Sequence, residues 1–258
     1  MTHDKTIDLN ADLGEGFGAW RMGDDAAMLG VVTSANVACG FHAGDPDIMA
    51  GIFTQAREKG VAVGAHVAFP DLAGFGRRAL AMTPAEIEHA VAYQLGAALA
   101  LARQAGVRLA HVKAHGALAN LAETDAATAD AIARAVKAVD PSLTLLVIAL
   151  SEQVRAGARA GLRLAHEIFA DRAYAEDGTL APRAQKGAVI EDAAAAATRV
   201  RDMLAEGALI TQSGARLKTP IDSVCVHGDT PQAVAMARDL RASLKAAGYR
   251  LRAFAPGA

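Results

Sequence analysis

Cysteine is scarce in this chain: Cys39 and Cys225 are the two thiols in 258 residues. A pair so far apart supplies no disulfide framework, and a reducing compartment is the simpler setting for it. No CxxC and no HExxH occurs, so no closed zinc site is signalled. Aromatic residues are few, at 4%. Neither sign of charge dominates, with 26 Lys+Arg against 28 Asp+Glu and a net charge of −2. That balance leaves no basic field to hold nucleic acid or an anionic membrane non-specifically. There is no GxxxxGK[ST] and no GxGxxG, the two common phosphate cradles. The most apolar strand-like run, Leu143 to Leu150, is too short to span a bilayer. The opening MTHDKT has no apolar segment of the signal-peptide kind. The expectation is a cytoplasmic protein with no nucleic-acid or membrane partner.

What the chain does have is apolar content, 52%, arranged in two alternating patterns. Short alternating runs predict strands at 5–10, 32–39, 61–66, 108–113, 143–149, 162–168 and 222–227, with a weaker one at 249–254. Ala-rich stretches between them predict helices at 45–59, 83–105, 124–138, 151–160, 190–206 and 230–247. Start signals precede several: Asp45-Pro46, Thr83-Pro84 with Glu86, Thr124-Asp125 and Thr230-Pro231. Gly60, Gly106, Gly161, Gly207 and Gly248 stand where helices should end. Strand and helix alternate throughout, with no linker. This predicts one parallel α/β domain over residues 1–258. Seven or eight units favour a barrel over an open doubly wound sheet. Residues 169–189 show no period, and a loop of that length is often a lid or binding loop.

The chemistry gathers on one phase of the strands. In IDLNADL, Asp8, Asn10 and Asp12 oppose Ile7, Leu9, Ala11 and Leu13, and the strand then breaks at Gly14-Glu15-Gly16. The same division places Ser34, Asn36 and His42 together, then Gly64 and His66, then His111, Lys113 and His115, then His227 and Asp229 after Cys225. Five strands therefore end in His, Asp or Lys on the face opposite the apolar one. In a parallel barrel the helices cover the outer face, and strand C-termini carry the chemistry. One such histidine reads as a structural hydrogen-bonding residue; five strand ends together read as a shared site. Asp8, deepest in its strand, suits a buried structural role as well as a site role, and Cys39 points with the core. Arg77-Arg78 reads either as solvated charge or as an anion clamp. Glu167, Asp171 and Arg172 begin the long loop, as salt-bridged anchors or as substrate contacts. His3 and His89 read as surface residues, and His166 falls in the wrong phase for the site.

The stretches IDLNADLGEGFGAWRMGDD, SANVACGFHAGDP, VAVGAH, FPDLAGFGRR, HVKAHGAL, FADRAY and VCVHGD run in order to residue 229. On these the chain resembles the LamB/YcsF family, which supplies the A component of bacterial 5-oxoprolinase. The resemblance implies a distorted (β/α) barrel, related in architecture to carbohydrate deacetylases. It also implies ATP-dependent opening of the lactam 5-oxoproline to glutamate together with separate B and C subunits, with Mg2+ accompanying ATP. The chain departs from the family pattern at Val67, Ala68, Ala114, Ala119 and Ala173, all beside the expected site.

A lactam amide is a poor electrophile, so phosphorylation of its carbonyl oxygen would create a leaving group. Arg77, Arg78 or Arg172 would hold the substrate carboxylate, with Asn10 and Asp45 among the substrate contacts. Lys113 would stabilise an oxyanion or phosphoryl group. Asp12, His66 or His115 would move protons, and His42, Asp45, Glu167, Asp171, His227 and Asp229 would orient them. Two other classes remain open. Asp12, His42 and His66 offer an open divalent-metal site for a stand-alone metal-dependent, deacetylase-like hydrolase. A non-catalytic component that binds a related lactam is the other.

Overall fold

The structure is a computed structural model that describes residues 5–226 and 233–254. Ten strands are present among these residues: β1 Thr6–Leu13, β2 Ser34–Ala38, β3 Ala62–Val67, β4 Leu109–Ala114, β5 Thr144–Ile148, β6 Arg163–Phe169, β7 Ala208–Ile210, β8 Arg216–Lys218, β9 Ser223–Val226 and β10 Arg250–Leu251. Between them lie α1 Asp25–Met28, α2 Pro46–Lys59, α3 Pro84–Gln104, α4 Gly116–Thr124, α5 Ala126–Val139, α6 Glu152–Ala160, α7 Ala193–Glu206 and α8 Ala233–Ala246.

Seven strands close on themselves. β1, β2, β3, β4, β5, β6 and β9 pair in that order, all parallel, and β9 returns to β1 with Asn10 opposite Cys225. The expected α/β barrel of seven or eight mostly parallel strands is therefore a closed ring of seven. The weak eighth, β10, pairs only with the first residues of β1. β7 and β8 form a separate antiparallel hairpin that the hydrophobic pattern did not announce. No helix among the described residues is long and apolar enough to cross a membrane.

The two phases of β1 divide as alternation requires. Ile7, Leu9, Ala11 and Leu13 join one buried cluster with helix residues such as Ile52, Phe53 and Leu95. Fully burying each large aliphatic side chain contributes roughly 1.5–3 kcal/mol. Asp8, Asn10 and Asp12 turn the other way and are buried too. The barrel interior is thus polar, unlike the branched aliphatic layers usual in such barrels.

Helix boundaries follow local chemistry. Asp45 caps α2 by accepting from the Ile48 amide at 2.8 Å, and Thr83 and Glu86 form a reciprocal capping box on α3. Asp125 caps α5. The start signal Thr230-Pro231 lies outside the described residues, as do His227 and Asp229. The pattern missed α4, which begins immediately after β4 at His115-Gly116.

Candidate functional site

The polar interior is a continuous hydrogen-bond network rising from the bottom of the barrel. Asp8 accepts from the hydroxyls of Thr33 (2.5 Å), Ser34 (2.7 Å) and Ser223. Burial still pushes its carboxyl up to about 6. Above it, Asn10 donates to Glu167 (2.9 Å) and Ser223 (2.7 Å) and accepts from Asn36 (2.7 Å). The Asn36 side-chain oxygen meets His111 Nε2 at 2.7 Å. The His111 ring crosses the barrel only because residue 64 is glycine: a Cβ there would collide with that ring. Burial, with Lys113 beside it, pulls His111 down to about 3.

Lys113 sits on this network. Its Nζ is 3.0 Å from Asp12 Oδ1, 2.9 Å from Glu167 Oε1 and 3.1 Å from Cys225 Sγ. Burial works against the charge, but Asp12 and Glu167 outweigh it, and the ammonium is held well above the usual lysine range. One fixed positive charge therefore stands at the floor of the open end.

Beside it three histidines and a carboxylate converge. His66 Nε2 lies 3.0 Å from His115 Nδ1 and 3.2 Å from Asp12 Oδ2. Glu15 Oε1 is 3.7 Å from His42 Nε2 and 3.9 Å from His115 Nδ1. The His42 ring stacks on His115 at 3.9 Å. Burial depresses His42 well below the imidazole range and His115 to about 3, each reinforced by neighbouring imidazoles. Gly76, at φ +64°, closes over this group; a Cβ would stand 2.8 Å from His42 and 2.9 Å from His115. One potential ligand atom from each of Glu15, His42, His66 and His115 lies within 4.8 Å of all the others.

A pocket of about 640 Å³ opens above Lys113 at the C-terminal ends of the strands. Asp12, Glu15, His66, Lys113, His115 and Glu167 form its floor. Its opposite wall is the irregular loop, at residues 179–184, with Arg172 and Arg183. The expectation of a binding loop at 169–189 is met in position. Glu123 of α4 clips that loop by accepting from the Leu180 amide at 2.9 Å, and burial pushes Glu123 up to about 7. Arg172 is buried, donates to the Ala181 carbonyl at 2.7 Å, and leaves its Nε without a hydrogen-bond partner among the described residues.

Of the residues singled out from the sequence, Asp12, His66, Lys113, His115, Glu167, Arg77 and Arg172 line this pocket. His42 stands behind His115, and Asn10 lies one layer beneath Lys113. Three placements differ from expectation. Asp45 is on the outer side, committed to the α2 cap and to the Gly18 amide at 2.8 Å. The Arg78 side chain is 65% exposed and paired with Asp71. Asp171 is not on the pocket wall. The expected metal trio also changes: Asp12 is engaged by Lys113, and Glu15 and His115 complete the close group with His42 and His66. His42 and His115 belong to loops beyond β2 and β4 rather than to the strands. Glu15, Glu123 and Arg183 were given no role, and His111 and Cys225 were placed on the polar phase without one. Glu15 had a signal, since it is the acid in the turn that ends β1.

Among the five departures from the family pattern, Ala114 and Ala119 are on the pocket wall. Val67 is buried outside it, the Ala68 backbone donates to and accepts from the Gln94 side-chain amide, and Ala173 packs with Ala181 and Ala188.

Comparison with known proteins agrees with this picture. The chain is 58% identical over 249 residues to the 5-oxoprolinase A subunit of Gluconobacter oxydans (strain 621H), covering 96% of this chain and 98% of that one. It is 57% identical over 251 residues to the 5-oxoprolinase A subunit of Azorhizobium caulinodans, covering 97% and 99%. Its fold matches the crystal structure of the lactam utilization protein from Thermus thermophilus with a TM-score of 0.91 at 44% identity, covering 96% of this chain and 100% of that one. The model of the LamB/YcsF family matches residues 7–257. By its motifs, its closed barrel and this match over nearly its whole length, the chain belongs to the LamB/YcsF family.

Proposed function

We propose that this protein is the A subunit of an ATP-dependent 5-oxoprolinase, which opens the lactam ring of 5-oxoproline to L-glutamate together with B and C subunits. The observation that carries the reading is the pairing of charges across one pocket. A held ammonium, Lys113, stands on the floor, and guanidinium groups of Arg77, Arg172 and Arg183 stand on the walls. A small ring with one carboxylate and one amide carbonyl matches both ends. The carboxylate goes to the arginines as a charge-assisted pair, and the carbonyl oxygen goes to Lys113. The relatives' names describe 5-oxoprolinase A subunits and a lactam utilization protein. They support the same substrate class and the existence of other subunits.

In this reading the γ-phosphoryl group of ATP passes to the lactam oxygen. Water then attacks the ring carbon, the C–N bond breaks and the nitrogen takes a proton, leaving a γ-glutamyl phosphate that a second water hydrolyses to glutamate and phosphate. Glutamate, ADP and phosphate result. Lys113 stabilises charge on the oxygen. Asp12, His66 and His115 line the floor where water and the ring nitrogen must exchange protons. Glu167 holds Lys113 in place.

The test is glutamate production from 5-oxoproline by this protein alone and by this protein with B and C subunits, each with and without ATP. Glutamate only in the complete, ATP-containing arm supports the proposal. Equal turnover by the protein alone without ATP would replace it with a stand-alone hydrolase, the class the histidine cluster favours. Silence in every arm from folded protein would remove the substrate assignment.

A further inference from the structure

We infer that Glu15, His42, His66 and His115 form a binding site for one divalent transition-metal cation, open on one side to the pocket. The inference stands apart from the choice of substrate. It begins with where the outer ring nitrogens point. His66 Nδ1 faces the Lys113 carbonyl at 3.3 Å, and His115 Nε2 faces the Phe75 carbonyl at 2.9 Å. A carbonyl only accepts, so these two nitrogens are assigned the protons. In neutral rings the remaining nitrogens, His66 Nε2 and His115 Nδ1, then carry lone pairs, and those two atoms face each other at 3.0 Å. Two lone pairs at that separation repel unless a cation lies between them.

A shared proton would satisfy one such pair. It leaves His42 unexplained: the ring is buried, and neither nitrogen has a hydrogen-bond partner among the described residues. Its Nε2 lies 3.7 Å from Glu15 Oε1, which in turn lies 3.9 Å from His115 Nδ1. A single metal ion engages all four groups. With ligand bonds of about 2.1 Å, tetrahedral geometry places donor atoms about 3.4 Å apart. The separations of 3.0, 3.7 and 3.9 Å straddle that value. Backbone carbonyls on the far nitrogens of ligating histidines are the usual means of fixing tautomer and ring orientation.

Three imidazoles and one carboxylate suit Zn2+ and its first-row neighbours better than Mg2+ or Ca2+, which prefer all-oxygen sites. Glu15, His66 and His115 line the pocket, while His42 backs the cluster. A cation held here reaches the pocket directly, within range of a carbonyl oxygen or a water molecule. Gly76 keeps the lid over His42 and His115 thin enough for the rings to stack.

The experiment is metal titration of full-length protein stripped with a chelator, using Zn2+ and then Mn2+, with stoichiometry read by equilibrium dialysis. The expected result is one equivalent of Zn2+ per chain. Glu15→Gln and His42→Ala should each weaken binding at least 10-fold, and the surface change His89→Ala should leave it intact. Far-UV circular dichroism confirms that each variant is folded. Two results overturn the inference: folded wild-type protein that binds neither cation, or one-equivalent binding that both site variants retain. Stoichiometric binding with a silent glutamate assay upholds the site and removes the lactam reading. Glutamate turnover by protein that takes up neither cation does the reverse.

Discussion

Replacing Lys113 by methionine isolates the charge at the barrel floor. The methionine chain fills most of the space of the lysine stem, so lost packing is a small part of the effect. What disappears is an ammonium buried within 3.0 Å of Asp12 Oδ1 and 2.9 Å of Glu167 Oε1. Removing one partner of a buried ion pair costs roughly 3–5 kcal/mol, because the remaining charge stays buried without compensation. Here two carboxylates lose the same partner, so the upper half of that range is expected. For a chain of this size each kcal/mol moves the midpoint by about 2–4 °C, giving a fall of roughly 8–20 °C. The assay is urea and thermal unfolding of wild type, Lys113→Met, Glu167→Gln and the double variant. If the charge is the cause, removing the Glu167 carboxylate from the Lys113→Met background recovers stability, and the coupling reaches about 2 kcal/mol. A loss below about 1 kcal/mol for Lys113→Met, or strictly additive variants, would refute the reasoning.

Three further outcomes follow from the geometry. Gly64→Ala drives a methyl group into the His111 ring; a loss of about 1–3 kcal/mol is expected in urea unfolding, and an unchanged midpoint would contradict it. Asp8 has a folded-state value of about 6 against an ordinary value of 3.8, so the native state holds the extra proton between them. Its contribution is fully present below the ordinary value and is lost as pH rises through about 6, by about 3 kcal/mol; the stability of Asp8→Asn relative to wild type should improve by that amount from about pH 3.5 to about pH 7.5, and a gap independent of pH would count against it. Arg172→Met removes a buried guanidinium from the pocket wall. Losing one charge-assisted contact of about 1.5–3 kcal/mol predicts a rise of roughly 10–100-fold in KM for 5-oxoproline, and an unchanged KM would move the carboxylate elsewhere.

Much of the barrel was legible because strand alternation and helix caps are local. Ile7, Leu9, Ala11 and Leu13 state which side of β1 faces the helices, and Asp45, Thr83 and Asp125 begin helices through bonds three residues away. His42, His66 and His115 converge because parallel strands end on one rim. What stayed hidden depends on pairings distant in sequence. Asp45-Pro46 announces the helix cap, but nothing near it indicates that the same carboxylate also accepts from the Gly18 amide, and nothing near Arg78 announces Asp71 as its partner. Glu15 and His115 joined His42 and His66 through loops, where strand phase no longer dictates direction. Glu123 was invisible because its importance comes from the loop it clips, 57 residues away. The polar interior was visible as a pattern, but its function of suspending Lys113 emerged only from distances.

In the proposed function this pocket performs lactam opening with Lys113 and His115 at its floor. It is tested most directly by measuring ATP-dependent glutamate formation from 5-oxoproline by complexes with B and C subunits, built with wild-type protein or with folded Lys113→Ala/His115→Ala protein. Turnover is expected with the wild type, and its loss with the double variant. Full turnover by the double variant would contradict it.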